Sequence, residues 1–145
     1  YPARMVMPLG PLPEELPPRQ PEDAVWQADQ GAVQFGVPGA AKLLTLSCEH
    51  DRSGAAWVRI ARHVRAEKGA QALFALEGNG HMTRLPLNVV RGGADGEWQG
   101  LVPAKAAKLD VLRGGNRIAA TLPGGGTLLL PASSEPGRLV DACRA

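Results

Sequence analysis

The stretch QALFALEGNGHMTRLPLNVV, residues 71–90, decides how the chain is read. Two apolar-rich runs, QALFALE (71–77) and HMTRLPLNVV (81–90), are separated by Gly78-Asn79-Gly80. In the second run Met82, Arg84 and Pro86 stand opposite Thr83, Leu85 and Leu87. That period of two sends successive side chains to opposite faces of a strand. Glycine takes positive φ cheaply and asparagine tolerates it, as hairpin turns require. The stretch predicts two antiparallel strands joined by a tight turn.

The same pattern extends in both directions. Upstream, AVWQA (24–28) and AVQFG (32–36) flank Asp29-Gln30-Gly31. KLLTLSC (42–48) places Leu44, Leu46 and Cys48 on one face, and Leu43, Thr45 and Ser47 on the other. AWVRIARHV (56–64) places Val58 and Ile60 against Trp57, Arg59 and Ala61. Downstream come EWQGLV (97–102), RIAATL (117–122) and TLLLP (127–131). Their separators are the glycine-rich segments 91–96, 114–116 and 123–126. Short strands with regular turns predict an all-β, antiparallel domain, either a sandwich or barrel-like. Two helical pieces interrupt it. Pro103 and Gly114 bracket a short helix near 104–113, with Ala107, Leu109 and Leu112 facing the sheet. A short C-terminal helix is expected from about 135, capped by Ser134, with Leu139, Val140 and Cys143 turned inward.

A length of 145 residues suits one domain. Aromatic residues are 4% against 44% hydrophobic, so the core rests on Leu, Val, Ile and Ala. Seven of the 13 prolines fall within the first 21 residues. Proline lacks an N–H and clashes inside a helix, so residues 1–23 read as a proline-rich extended N-terminal arm. Residues 24–145 read as the single β-rich domain. The arm is expected to be what remains after an export or lipoprotein signal is removed, and so a possible membrane tether. No apolar run approaches the ~20 residues of a membrane-spanning helix.

Two cysteines, Cys48 and Cys143, belong to no CxxC motif. Cys48 closes a strand-like run and Cys143 lies near the C-terminus, so a Cys48–Cys143 disulfide would fasten the last segment to the domain. Such a bond implies an oxidising compartment, the periplasm or the extracellular space.

The chemistry-bearing motifs are few. There is no GxSxG elbow, P-loop, HExxH or EF-hand loop. Cys48-Glu49-His50-Asp51 is the densest polar cluster, but neighbours on a strand diverge. His50, His63 and His81 lack the spacing of metal ligands. No cofactor, metal or catalytic residue is expected. Arg59, Arg62, His63 and Arg65 are a possible anion or partner surface, with Arg59, His63 and Arg65 on one strand face and Arg62 on the other. Residues 24–145 hold 14 basic and 10 acidic residues, too even a balance for a nucleic-acid interface. Trp57 and Trp98 are expected in the core, and Trp26 is placed to pin the arm.

The proline-rich lead, AVQFGVPGAAKLLTLSC around Cys48, LPGGGTLLLP and the ending RLVDACRA resemble uncharacterised exported envelope proteins of proteobacteria. That resemblance implies no reaction and no site residue. The expected function is a non-catalytic envelope interaction module whose partner is another envelope protein. Two alternatives stand beside it: a small-ligand carrier with an apolar β-barrel pocket, and a small hydrolase or metal enzyme with an assembled His/carboxylate site.

Overall fold

The computed structural model describes residues 19–145. Of the expected arm, residues 1–18 lie outside the described residues. The body is one antiparallel sheet of nine strands: β1 (Val25–Asp29), β2 (Ala32–Gly36), β3 (Lys42–His50), β4 (Ala56–His63), β5 (Gln71–Gly78), β6 (His81–Arg91), β7 (Glu97–Pro103), β8 (Ile118–Leu122) and β9 (Gly126–Leu130). The spatial order is β1-β2-β3-β4-β7-β6-β5-β8-β9. The sheet curls on itself as a half-barrel, so the expected all-β class holds in its barrel-like form. The predicted hairpin at 71–90 is present, with Gly78 opposite His81 and both turn residues at positive φ, Asn79 at 54° and Gly80 at 78°.

Alternation decides which side chains meet inside. Val33, Phe35, Leu44, Leu46, Val58, Ile60, Phe74, Leu76, Leu85, Leu87, Ile118, Ala120, Leu122, Leu128 and Leu130 are all buried. The strand order contains two jumps, from β4 to β5 and from β7 to β8, and each connection crosses one end of the curled sheet. The first, residues 64–70, buries Val64 and Ala66 and bridges to Gly93. The second carries a 3-10 helix, Ala107–Leu112, packed under β5 and β6. It stands where a helix was expected near 104–113, and Pro103 is the last residue of β7 and not the first of a helix. Its buried residues are Leu109, Val111 and Leu112, while Ala107 is exposed.

The C-terminal helix α1 (Glu135–Arg144) packs beside it against β1 to β4. Leu139, Val140 and Cys143 are buried, as the amphipathic pattern predicts. The cap differs in detail: the Glu135 N–H donates to Ser133 Oγ at 3.1 Å, and the Ser134 side chain makes no cap bond. Cys143 is joined to Cys48 of β3 by a disulfide. Arg144 donates to the carbonyls of Ala104 and Ala106 and to Asp110, tying α1 to the 3-10 segment.

Side chains of β1 and of the residues before it reach the edge of the sheet at β9. Gln20 Nε2 donates to the Leu129 carbonyl at 2.8 Å, and the Leu129 N–H donates to Gln20 Oε1 at 2.7 Å. Trp26 Nε1 donates to the Pro131 carbonyl at 3.1 Å, while its ring packs on Phe35. Trp26 therefore pins the start of the body to the far edge of the sheet.

Candidate interaction surface on the outer face of β3, β4 and β7

The register fixes which residues share the outer face. Glu49, Trp57 and Pro103 form one row across β3, β4 and β7. Ser47, Arg59 and Leu101 form the next, then Thr45, Ala61 and Gln99. His63 faces Glu97 beyond them.

Side chains on this face are fixed by one another. Arg59 makes a bidentate pair with Glu49 and donates through Nη1 to Gln99 Oε1 at 2.7 Å. Gln99 Nε2 donates in turn to Glu97. The hydrogen bond from Arg59 holds the Glu49 carboxyl below its ordinary range, and the same pair raises Arg59. Trp57 Nε1 donates to Asp51 Oδ2 at 3.1 Å. Asp51 also accepts from the Ser53 hydroxyl and from the Ser53 and Ala55 N–H groups. These bonds, led by the Ser53 hydroxyl and the Trp57 indole, lower Asp51 to about 2. Glu49, His50, Asp51, Trp57 and Leu101 line a shallow cleft of about 290 Å³.

Trp57, which the sequence pattern predicts in the core, therefore lies instead on the outer face. It is half-buried on the outer face, whereas Trp98 on the opposite parity is 6% exposed. The signal that could have separated them was the parity of β4, since Trp57 alternates with Val58 and Ile60.

At the far end of the face, His63 Nδ1 lies 3.5 Å from Glu97 Oε1 and Nε2 lies 3.3 Å from Thr45 Oγ1. Burial pushes the His63 pKa down, Glu97 pulls it up, and the Arg91 and Arg62 charges push it down further. Thr45, His63 and Glu97 stand in the order of nucleophile, base and orienting carboxylate. The backbone N–H groups of β4 around them are committed to β3 on one side and β7 on the other, so β4 offers no oxyanion donor. His50 and His81 are exposed and apart from this pair. Among the described residues no group of three His, Cys, Asp or Glu converges as a metal site.

The basic quartet does not form one surface. Arg59 and His63 share the outer face. Arg62 is 3% exposed, because parity turns it inward after Val58 and Ile60. Arg65 lies beyond the end of β4 on the exposed crossing segment, and its carbonyl accepts from Trp98 Nε1 at 3.4 Å. Sequence reasoning assigned Arg62 to the opposite face correctly but to the surface wrongly. Gln99 and Leu101 were not legible as neighbours of Arg59, since strand β7 is forty residues distant in the chain, and Glu49 was not because its pairing depends on the β3–β4 register.

Comparison with protein-family models, with curated proteins and with solved structures finds no significant match to this chain.

Proposed function

We propose that this chain is a non-catalytic extracytoplasmic interaction module that engages a protein partner through the outer face of β3, β4 and β7. The observation that carries the proposal is the pre-organised Trp57–Arg59 pair. Both residue types dominate the energetics of protein interfaces. Here each is already held, Trp57 by Asp51 and Arg59 by Glu49 and Gln99, so little side-chain freedom remains to be lost on binding. Leu101, 48% exposed between them and β6, adds an apolar contact. The carrier reading is disfavoured by an interior in which Phe35, Phe74, Leu44, Leu85 and Leu87 are at most 1% exposed.

The extracytoplasmic assignment, periplasmic in a bacterium, draws on the Cys48–Cys143 disulfide. It is compatible with the finding that, among the described residues, no helix is long and apolar enough to cross a membrane. Trapping thiols in intact cells tests it: both cysteines should resist alkylation until reduced, and two reactive thiols would contradict the assignment. The binding reading is tested by quantitative affinity capture with Trp57→Ala and Arg59→Ala. Each should weaken the captured partner by about tenfold or more, the loss of an interface hot spot. Capture unchanged by both substitutions would overturn it.

A further inference from the structure

A second feature lies at the other end of the same strands and stands independently of the Trp57–Arg59 reading. Lys42 at the start of β3, His63 at the end of β4 and Arg91 at the end of β6 line one cleft of about 250 Å³, together with Leu43, Asp95 and Gly96. Directly beneath it is Arg62. Its Nη1 donates to the carbonyls of Leu43 and His63, at 3.1 and 2.9 Å, and both of those residues line the cleft. Its Nη2 donates to the Gly125 carbonyl at 3.3 Å, and its Nε has no partner among the described residues.

Arg62 thus carries a buried full charge satisfied by carbonyl dipoles alone. Among the described residues no carboxylate pairs with it. Buried charges ordinarily require a counter-charge, because desolvation costs several kcal/mol per ion. Around the cleft, Lys42, Arg91 and Arg62 face two carboxylates, Asp95 and Glu97. Glu97 is already engaged by Arg91 and His63. Arg91 Nε is held by the Asp95 carbonyl at 2.8 Å, and Lys42 Nζ by Gln27 Oε1 at 2.8 Å. The cleft keeps one positive charge with His63 neutral and gains a second when His63 is protonated.

We propose that this cleft is a binding site for a small oxyanion, a phosphate or carboxylate group, which supplies the counter-charge that Arg62 lacks within the described chain. Lys42 and Arg91 contact the anion from opposite walls, and His63 protonates as it binds. Arg62 acts through the field it projects from below and is a positioning residue, not a contact.

The test is a titration of the folded chain with inorganic phosphate, and separately with acetate, at low ionic strength. The readouts are the His63 ring resonances and backbone amide shifts. Saturable shifts centred on residues 42–43, 63 and 91–96 are expected, with the His63 pKa rising in the presence of the anion. Lys42→Gln with Arg91→Gln should weaken binding by about tenfold or more, while Arg84→Gln, on the outer face of β6, leaves it unchanged. Arg62→Lys, which keeps the charge, should retain binding, and Arg62→Met should reduce it. Should Arg62→Met fail to fold, the Lys42/Arg91 double variant carries the test alone. Shifts that do not saturate, that chloride reproduces, or that survive the double variant would overturn the proposal.

Discussion

At the scale of single residues, the outer and inner faces of β4 each hold an arginine, and the two cations are satisfied in different ways. Arg59, outward, is neutralised by Glu49. Arg62, inward, is held by carbonyls, and burial lowers its pKa to about 10, so it remains protonated at neutral pH. Its guanidinium spans β3, the end of β4 and the β8–β9 turn. At that turn the chain packs closely, and a Cβ on Gly125 would stand 2.9 Å from the Leu122 side chain and 3.1 Å from that of Val64. Arg62→Met removes those three bonds and should lower stability by about 1–3 kcal/mol in urea denaturation, the cost of unpairing buried carbonyls. No change would mean that relief of the desolvated charge offsets them. His63 has a definite pH signature. Its folded pKa lies below the ordinary 6.5, so the unfolded chain takes the proton first as pH falls. The stability it contributes is complete above pH 6.5 and is lost as pH falls toward its folded pKa. His63→Gln should remove that step from a stability–pH profile, and a step that persists in the variant would assign it elsewhere.

At the scale of elements, α1 has ten residues, too short to persist alone in water. It is held by Leu139, Val140 and the Cys48–Cys143 bond, which closes a 95-residue separation. Cys48→Ser with Cys143→Ser should cost about 2–5 kcal/mol. Amide exchange should then show α1 losing protection before the sheet, and uniform protection in the variant would contradict this. These elements were legible because local chemistry dictates them. Period-two runs set the strands, Asn79-Gly80 set the turn, and the spacing of Leu139, Val140 and Cys143 set the helix face. The 3-10 segment was only half legible: Pro103 reads equally as a helix start and as the last residue of a strand. Strand neighbours were not legible at all. That β4 pairs with β7 and β5 with β8 depends on two end-crossing connections, and the Arg59–Gln99 contact follows from that pairing.

At the scale of the molecule, the curled sheet is closed at one end by α1 and the 3-10 segment, and at the other by residues 64–70 over Arg62. Its seam between β1 and β9 is fastened by Gln20 and Trp26. Exposed strand edges invite pairing with other chains, and Gln20 covers the Leu129 N–H and carbonyl. Gln20→Ala should therefore cost about 1–2 kcal/mol for two lost hydrogen bonds and raise concentration-dependent association in sedimentation. A variant that stays as stable and as monodisperse as the parent would show that the seam needs no such cover. The outer face of β3, β4 and β7 is the surface on which Trp57, Arg59 and Leu101 stand together. Site-specific photocrosslinking tests that claim most directly, with the probe at Leu101 and a control probe at Leu73, which is 52% exposed on β5. The account predicts one discrete adduct in native cells from position 101, none from position 73, and loss of the adduct when Trp57→Ala is added. Equal adducts from both positions, or none from position 101, would contradict it.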